Sequence, residues 1–149
     1  MTDSMESAEQ QEAGVYRWVF TVPDTAIDEN GHVNNVRYVH WMQDLAVRHW
    51  RSVGGEAVNT ANQATWVARS HHIEYRRPAF AGDTIEALTW VVNMRKVHSV
   101  RKYTFTRRED GALLAKGETD WVFVDSVSGR PRAIPDSVPE ILPIAEGRL

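Results

Sequence analysis

No cysteine occurs in the chain of 149 residues. Disulfides, thiolate metal ligands and a cysteine nucleophile are therefore excluded, and a cytoplasmic setting is the default expectation. Long apolar runs are missing too. None approaches the roughly 20 residues that span a bilayer, so no membrane partner is expected. Nor is there an excess of basic charge: 17 Lys and Arg against 20 Asp and Glu leave a formal net charge of −3, which offers no footprint for nucleic acid. The first 14 residues have neither the basic nor the apolar part of a signal peptide. With Asp3, Glu6, Glu9 and Glu12, they are expected to form a disordered acidic tail.

What is present suits one soluble domain over residues 15–149, with 42% hydrophobic and 25% charged residues. A chain of this length buries roughly two-thirds of the surface exposed when unfolded. Beyond residue 14 there is no internal repeat, low-complexity stretch or linker. Tyr16 to Val22 alternates as a strand, with Tyr16, Trp18, Phe20 and Val22 on one side, and Pro23 ends it. A helix is expected from Asn34 or Asn35, carrying Val36, Val39, Gln43, Ala46, Val47 and Trp50 on one track and Tyr38, Trp41, Met42 and Leu45 on another. A helix apolar on most of its circumference is expected to be wrapped by a curved sheet, and Gly54-Gly55 closes it.

From Thr65 the period changes to two. Thr65 to Tyr75, Thr84 to Asn93, Ser99 to Arg108 and Ala112 to Asp125 read as strands, with a hairpin signal at Glu109-Asp110-Gly111. In the last of these Leu113, Ala115, Thr119, Trp121 and Phe123 point one way and Lys116, Glu118 and Asp120 the other. A strand, a helix and then four antiparallel strands give an α+β fold: one central helix and about five strands.

Chemistry concentrates at the loop-to-helix junction Asp28-Glu29-Asn30-Gly31-His32-Val33-Asn34-Asn35-Val36-Arg37-Tyr38. A carboxylate, an imidazole and several amides precede a helix start, where unpaired N–H groups favour developing negative charge. Elsewhere, His40, His49 and the pair His71-His72 form no carboxylate–histidine triad, and strand neighbours face opposite ways; no metal or other cofactor is expected. Glu74 reads as an exposed strand charge. Arg76, Arg77, Arg95, Lys96, Arg101 and Lys102 could meet the phosphates of coenzyme A or simply form a solvated face.

The junction resembles the hotdog-fold thioesterases of the 4-hydroxybenzoyl-CoA thioesterase type, matching their pattern from Asp28 through Gly31-His32-Val33-Asn34-Asn35 to Tyr38, with Ala26 in place of the first Asp. Ile73-Glu74-Tyr75-Arg76-Arg77-Pro78-Ala79-Phe80-Ala81-Gly82-Asp83 resembles a second motif of that family, and Gly117 to Asp125 followed by Gly129-Arg130-Pro131 a looser third. The junction is also similar to that of plant acyl-ACP thioesterases. Pro78 and Ala79, however, stand where those enzymes carry Glu and Cys.

The resemblance implies a single hotdog domain that hydrolyses an acyl thioester, acyl-CoA rather than acyl-ACP, to a free acid and a thiol. Asp28 would act as general base or nucleophile, Asn30 and His32 would orient water or substrate, and helix amides near Asn34 and Asn35 would hold the oxyanion. Tyr38, Met42 and Leu45 would line the acyl pocket. The resemblance also implies a homodimer, with tetramers common in the family and the site built at the subunit interface. Two other readings stay open. One is a hotdog enoyl-CoA hydratase, whose motif has a Pro that Asp28-Glu29-Asn30-Gly31-His32 lacks; the other is a non-catalytic acyl-CoA-binding module.

Overall fold

The computed structural model describes residues 13–145, so the expected acidic tail lies, but for its last two residues, outside the described residues. The elements are β1 (Val15–Thr21), α1 (Asn35–Ser52), α2 (Gly55–Asn62), β2 (Ala64–Tyr75), β3 (Thr84–Val91), β4 (His98–Arg107), β5 (Leu113–Asp125) and a short α3 (Val138–Ile141), with a 3-10 turn at Asp24–Ala26. The five strands form one antiparallel sheet in the order β1-β3-β4-β5-β2, and α1 lies across it. This is the hotdog architecture, one long helix laid in a curved sheet.

Strand alternation decides what meets the helix. Tyr16, Trp18 and Phe20 of β1 register with Thr89, Ala87 and Ile85 of β3, and these continue to Tyr103, Phe105 and Arg107 of β4. Tyr38, Trp41, Met42 and Leu45 of α1 pack on this row, in a core that also holds Ile85, Ala87, Phe105 and Ala115. Gly117 on β5 allows the closest approach. A Cβ there would stand 3.0 Å from Met42 Sδ and 3.1 Å from the His72 carbonyl.

Four expectations need correcting. The buried face of α1 is one stripe, Tyr38, Trp41, Met42, Leu45, Ala46, His49 and Trp50, while Val36 and Val47 are 60% and 44% exposed. Three- and four-residue spacing fits more than one track, and the sheet covers only one. Gly54 does close α1 in the left-handed conformation at φ 85°, but Gly55 opens a second helix. A Cβ at Gly55 would lie 2.0 Å from the Trp50 ring, so the side-chain-free position lets α2 fold back over α1. On β5, a register shift beside Phe105 and Thr106 puts Leu114 rather than Leu113 into the core. Finally, Arg101 is not on a solvated face: it is 4% exposed because β4 turns it inward with Tyr103 and Phe105.

Candidate functional site

Ile27 and Val33 bridge as a miniature antiparallel pair, closed by a turn in which Gly31 N–H donates to Asp28 O at 3.0 Å and Asp28 N–H to His32 O at 3.1 Å. Gly31 takes φ 83°, a left-handed conformation that glycine adopts without steric penalty. Asp28 fixes the turn with its side chain, Oδ1 accepting from the Asn30 N–H at 2.8 Å. Its Oδ2 has no partner among the described residues. Asp28 is half-buried and Asn30 is exposed.

The chain then enters α1. The Asn34 side chain caps the helix, Oδ1 accepting from the Val36 N–H at 2.8 Å, as an N-cap should. The Asn34 N–H donates to Ala26 O at 3.0 Å. Of the two helix-start amides singled out in the sequence, the one at Asn35 therefore has no acceptor among the described residues. Such a donor, at the positive end of the helix dipole, suits an oxyanion.

The second motif packs against this start. Val33 N–H donates to Ala79 O at 2.8 Å, and both residues are buried. Asp83 holds the loop in shape: its Oδ2 accepts from the Phe80 N–H at 2.9 Å and from Arg107 Nη1 at 3.2 Å, and the same nitrogen reaches Pro78 O at 3.1 Å. Between the two motifs opens a cleft of about 270 Å³ lined by His32, Asn35, Tyr38, Tyr75, Arg77 and Pro78, among others. The Tyr75 hydroxyl donates to Asn35 O at 3.1 Å, closing one side.

Of the sequence-selected residues, His32, Asn35 and Tyr38 line this cleft. Asp28, Asn30 and Asn34 sit in the turn and cap that lead into it, and Met42 is completely buried one turn further along α1, against Gly117. His32 Nδ1 donates to Val33 O at 3.2 Å, so Nε2 is the ring nitrogen left to meet water or substrate. Tyr38 is 3% exposed, and its buried hydroxyl has no partner among the described residues. Burial first, and then Tyr75, push its pKa up to about 12, so the phenol stays a donor. Tyr75 was noticed in the sequence only as part of a strand motif, and Arg77 only there and in a basic set that could meet coenzyme A phosphates. Their place beside the helix start depends on the Val33–Ala79 pairing, which no local pattern announces.

A second group of polar residues lies beneath the later turns of α1. Arg101 Nη1 donates to His49 Nδ1 at 2.8 Å and to Thr89 Oγ1 at 3.1 Å. Burial, and then Arg101, lower the His49 pKa to about 3; burial lowers that of Arg101 to about 10. At neutral pH this is a charged guanidinium beside a neutral imidazole. Among the described residues, no group of three or more His, Cys, Asp or Glu could hold a metal ion, and no helix is long and apolar enough to cross a membrane.

The profile of the thioesterase-like superfamily matches residues 22–142, which include the junction, the Pro78 to Asp83 loop and all five strands but the first. The acyl-CoA thioester hydrolase YbgC of Escherichia coli O157:H7 is 28% identical over 130 residues, covering 83% of this chain and 92% of that protein. An oleoyl-acyl carrier protein thioesterase from Arabidopsis thaliana chloroplasts is 23% identical over 147 residues, or 93% of this chain; the chain spans only 40% of that relative's length. Among solved structures, a Staphylococcus aureus protein in complex with CoA superposes with a TM-score of 0.78 at 18% identity, covering 88% of this chain and 83% of the other. The chain belongs to the thioesterase-like superfamily.

Proposed function

We propose that the protein is an acyl thioesterase that hydrolyses an acyl-CoA to the free acid and the thiol. One observation carries this reading: the unpaired Asn35 amide lines a cleft closed by the second motif, and the Asp28 carboxylate sits in the turn that leads into it. Asp28 takes a proton from water as the water oxygen attacks the thioester carbonyl. The charge that develops on the carbonyl oxygen is met by the Asn35 N–H, with the Tyr38 hydroxyl as a further donor in the same cleft. The carbon–sulfur bond then breaks, and the thiolate recovers a proton from the Asp28 carboxyl. Direct attack by the Asp28 carboxylate, through an anhydride that water then opens, uses the same placement. Asn30 holds the carboxylate, and His32, through Nε2, orients water or substrate.

Acyl-CoA is favoured over acyl-ACP as substrate by the length match to YbgC and by Pro78 and Ala79, which supply neither carboxylate nor thiol. Arg76 and Arg77 stand on the rim of the cleft, where coenzyme A phosphates would meet them. We further propose a cytoplasmic homodimer. Strand β2 ends the sheet with 12 residues, most of them exposed, and an edge of that length is ordinarily covered. A panel of acyl-CoA thioesters, read by thiol release, tests the reaction. Cleavage of at least one, with loss of about 10²–10⁴ in rate for Asp28→Ala, is expected. Loss of enoyl absorbance without thiol release would favour a hydratase, and saturable binding without turnover a binding module.

A further inference from the structure

A second cavity, of about 230 Å³, lies between the sheet and the later turns of α1, with Ala46, Trp50, Trp66, Val91, Arg101 and Leu142 among its lining residues. His49, whose ring touches Arg101, is about 20 Å along the helix from Asn35 at 1.5 Å per residue, so within one protomer this is a place apart from the cleft. A cavity of about 150 Å³ is already enough to take up a benzene ring. Its walls are mostly apolar: Trp66 packs edge-on to Trp50 at 5.7 Å and against Phe123 at 5.0 Å, with Val91 and Leu142 beside them.

One wall is charged. Arg101 is 4% exposed and has no carboxylate within ion-pair distance among the described residues. Both its side-chain bonds, to His49 and Thr89, use Nη1, and Nε and Nη2 have no acceptor among the described residues. A guanidinium carries five donors in a planar fork made for a carboxylate, and a buried cation without a counter-charge is strongly disfavoured. Trp66, on the same cavity, has a buried Nε1–H that also lacks an acceptor. The one carboxylate among the lining residues, Glu56, is largely exposed and is bonded to Arg51 at 2.7 Å. His49 accepts from Arg101 and adds no charge.

We propose that this cavity is a second ligand site, which binds an organic carboxylate with an apolar or aromatic body. The carboxylate takes the open donors of Arg101 and Trp66, and the body lies against Trp50, Val91 and Leu142. The mixture of one buried cation with apolar walls selects against a bare inorganic anion and against a neutral apolar molecule alike. The site goes beyond thioester hydrolysis and does not depend on it.

Calorimetric titration of the full chain with octanoate, 1-octanol and inorganic phosphate tests the site. Octanoate is expected to bind once per chain. Octanol should be weaker by roughly tenfold or more, the scale of hydrogen bonds to a charged group, and phosphate should give no saturable heat. Arg101→Met should bring octanoate down to the level of octanol, while Asp28→Ala should leave its binding unchanged whatever happens to hydrolysis. A readout on the unmutated chain covers the case in which Arg101→Met does not fold: in ¹H–¹⁵N spectra the Trp66 indole resonance, assigned by its loss in Trp66→Phe, should shift on adding octanoate. Equal binding of octanoate and octanol, binding of phosphate as tight as that of octanoate, or a Trp66 resonance that octanoate does not move would each overturn the proposal.

Discussion

Single atoms decide much of this molecule. A Cβ added at Gly55 would fall within the Trp50 ring contact at 2.0 Å, and one at Gly117 would press on Met42 and on the His72 carbonyl. Gly55→Ala and Gly117→Ala are each expected to lower stability by about 1–3 kcal/mol, the usual result of overpacking, visible as a drop of several degrees in Tm by calorimetry. His49 supplies a pH dependence. Its pKa is about 3 in the folded chain, because of burial and then Arg101, against about 6.5 in an unfolded one. The unfolded chain thus binds a proton that the folded chain refuses, and stability falls as the pH is lowered from about 6.5 towards 3, by up to about 1.4 kcal/mol per unit. Urea denaturation at pH 7 and pH 5 should show a smaller loss for His49→Gln, whose amide oxygen still accepts from Arg101.

Elements set the site by where they begin and end. The cap on α1 was legible because Asn34 precedes the first apolar residue at helical spacing, and its Oδ1 does hold the Val36 N–H. Asn34→Ala should cost about 0.5–2 kcal/mol in stability, and Asn34→Asp, which keeps the accepting oxygen, should cost much less in the same denaturation experiment. The strands were legible from their alternation. The second helix was not, since Gly55-Glu56-Ala57-Val58-Asn59-Thr60-Ala61-Asn62 is poor in strong helix formers; its place comes from packing on Trp50. The shift that buries Leu114 was hidden as well, because alternation alone cannot locate an inserted residue. Arg101 and Lys102 are neighbours on β4, so one had to face inward. That the inward one would find a histidine and a threonine, and no carboxylate, depends on strands and a helix far away in sequence.

At the scale of the whole molecule, the junction and the Pro78 to Asp83 loop, some 45 residues apart, become one cleft through the pair Val33–Ala79. Their chemistry was readable in the sequence, and their meeting only through resemblance to a known fold. The exposed edge of β2, with Val67 and Tyr75 each more than 40% exposed, leads to an expectation about assembly: sedimentation equilibrium should give twice the chain mass. A chain that stays monomeric at micromolar concentration would contradict the proposed dimer. The central claim is that Asp28 drives hydrolysis of an acyl thioester, and the direct measurement is kcat/KM on the best acyl-CoA for the unmutated chain, Asp28→Ala and Asp28→Asn, with folding matched by circular dichroism. Losses of about 10²–10⁴ in both variants are predicted. Full activity in either, or no cleavage of any acyl-CoA by the unmutated chain, would contradict it.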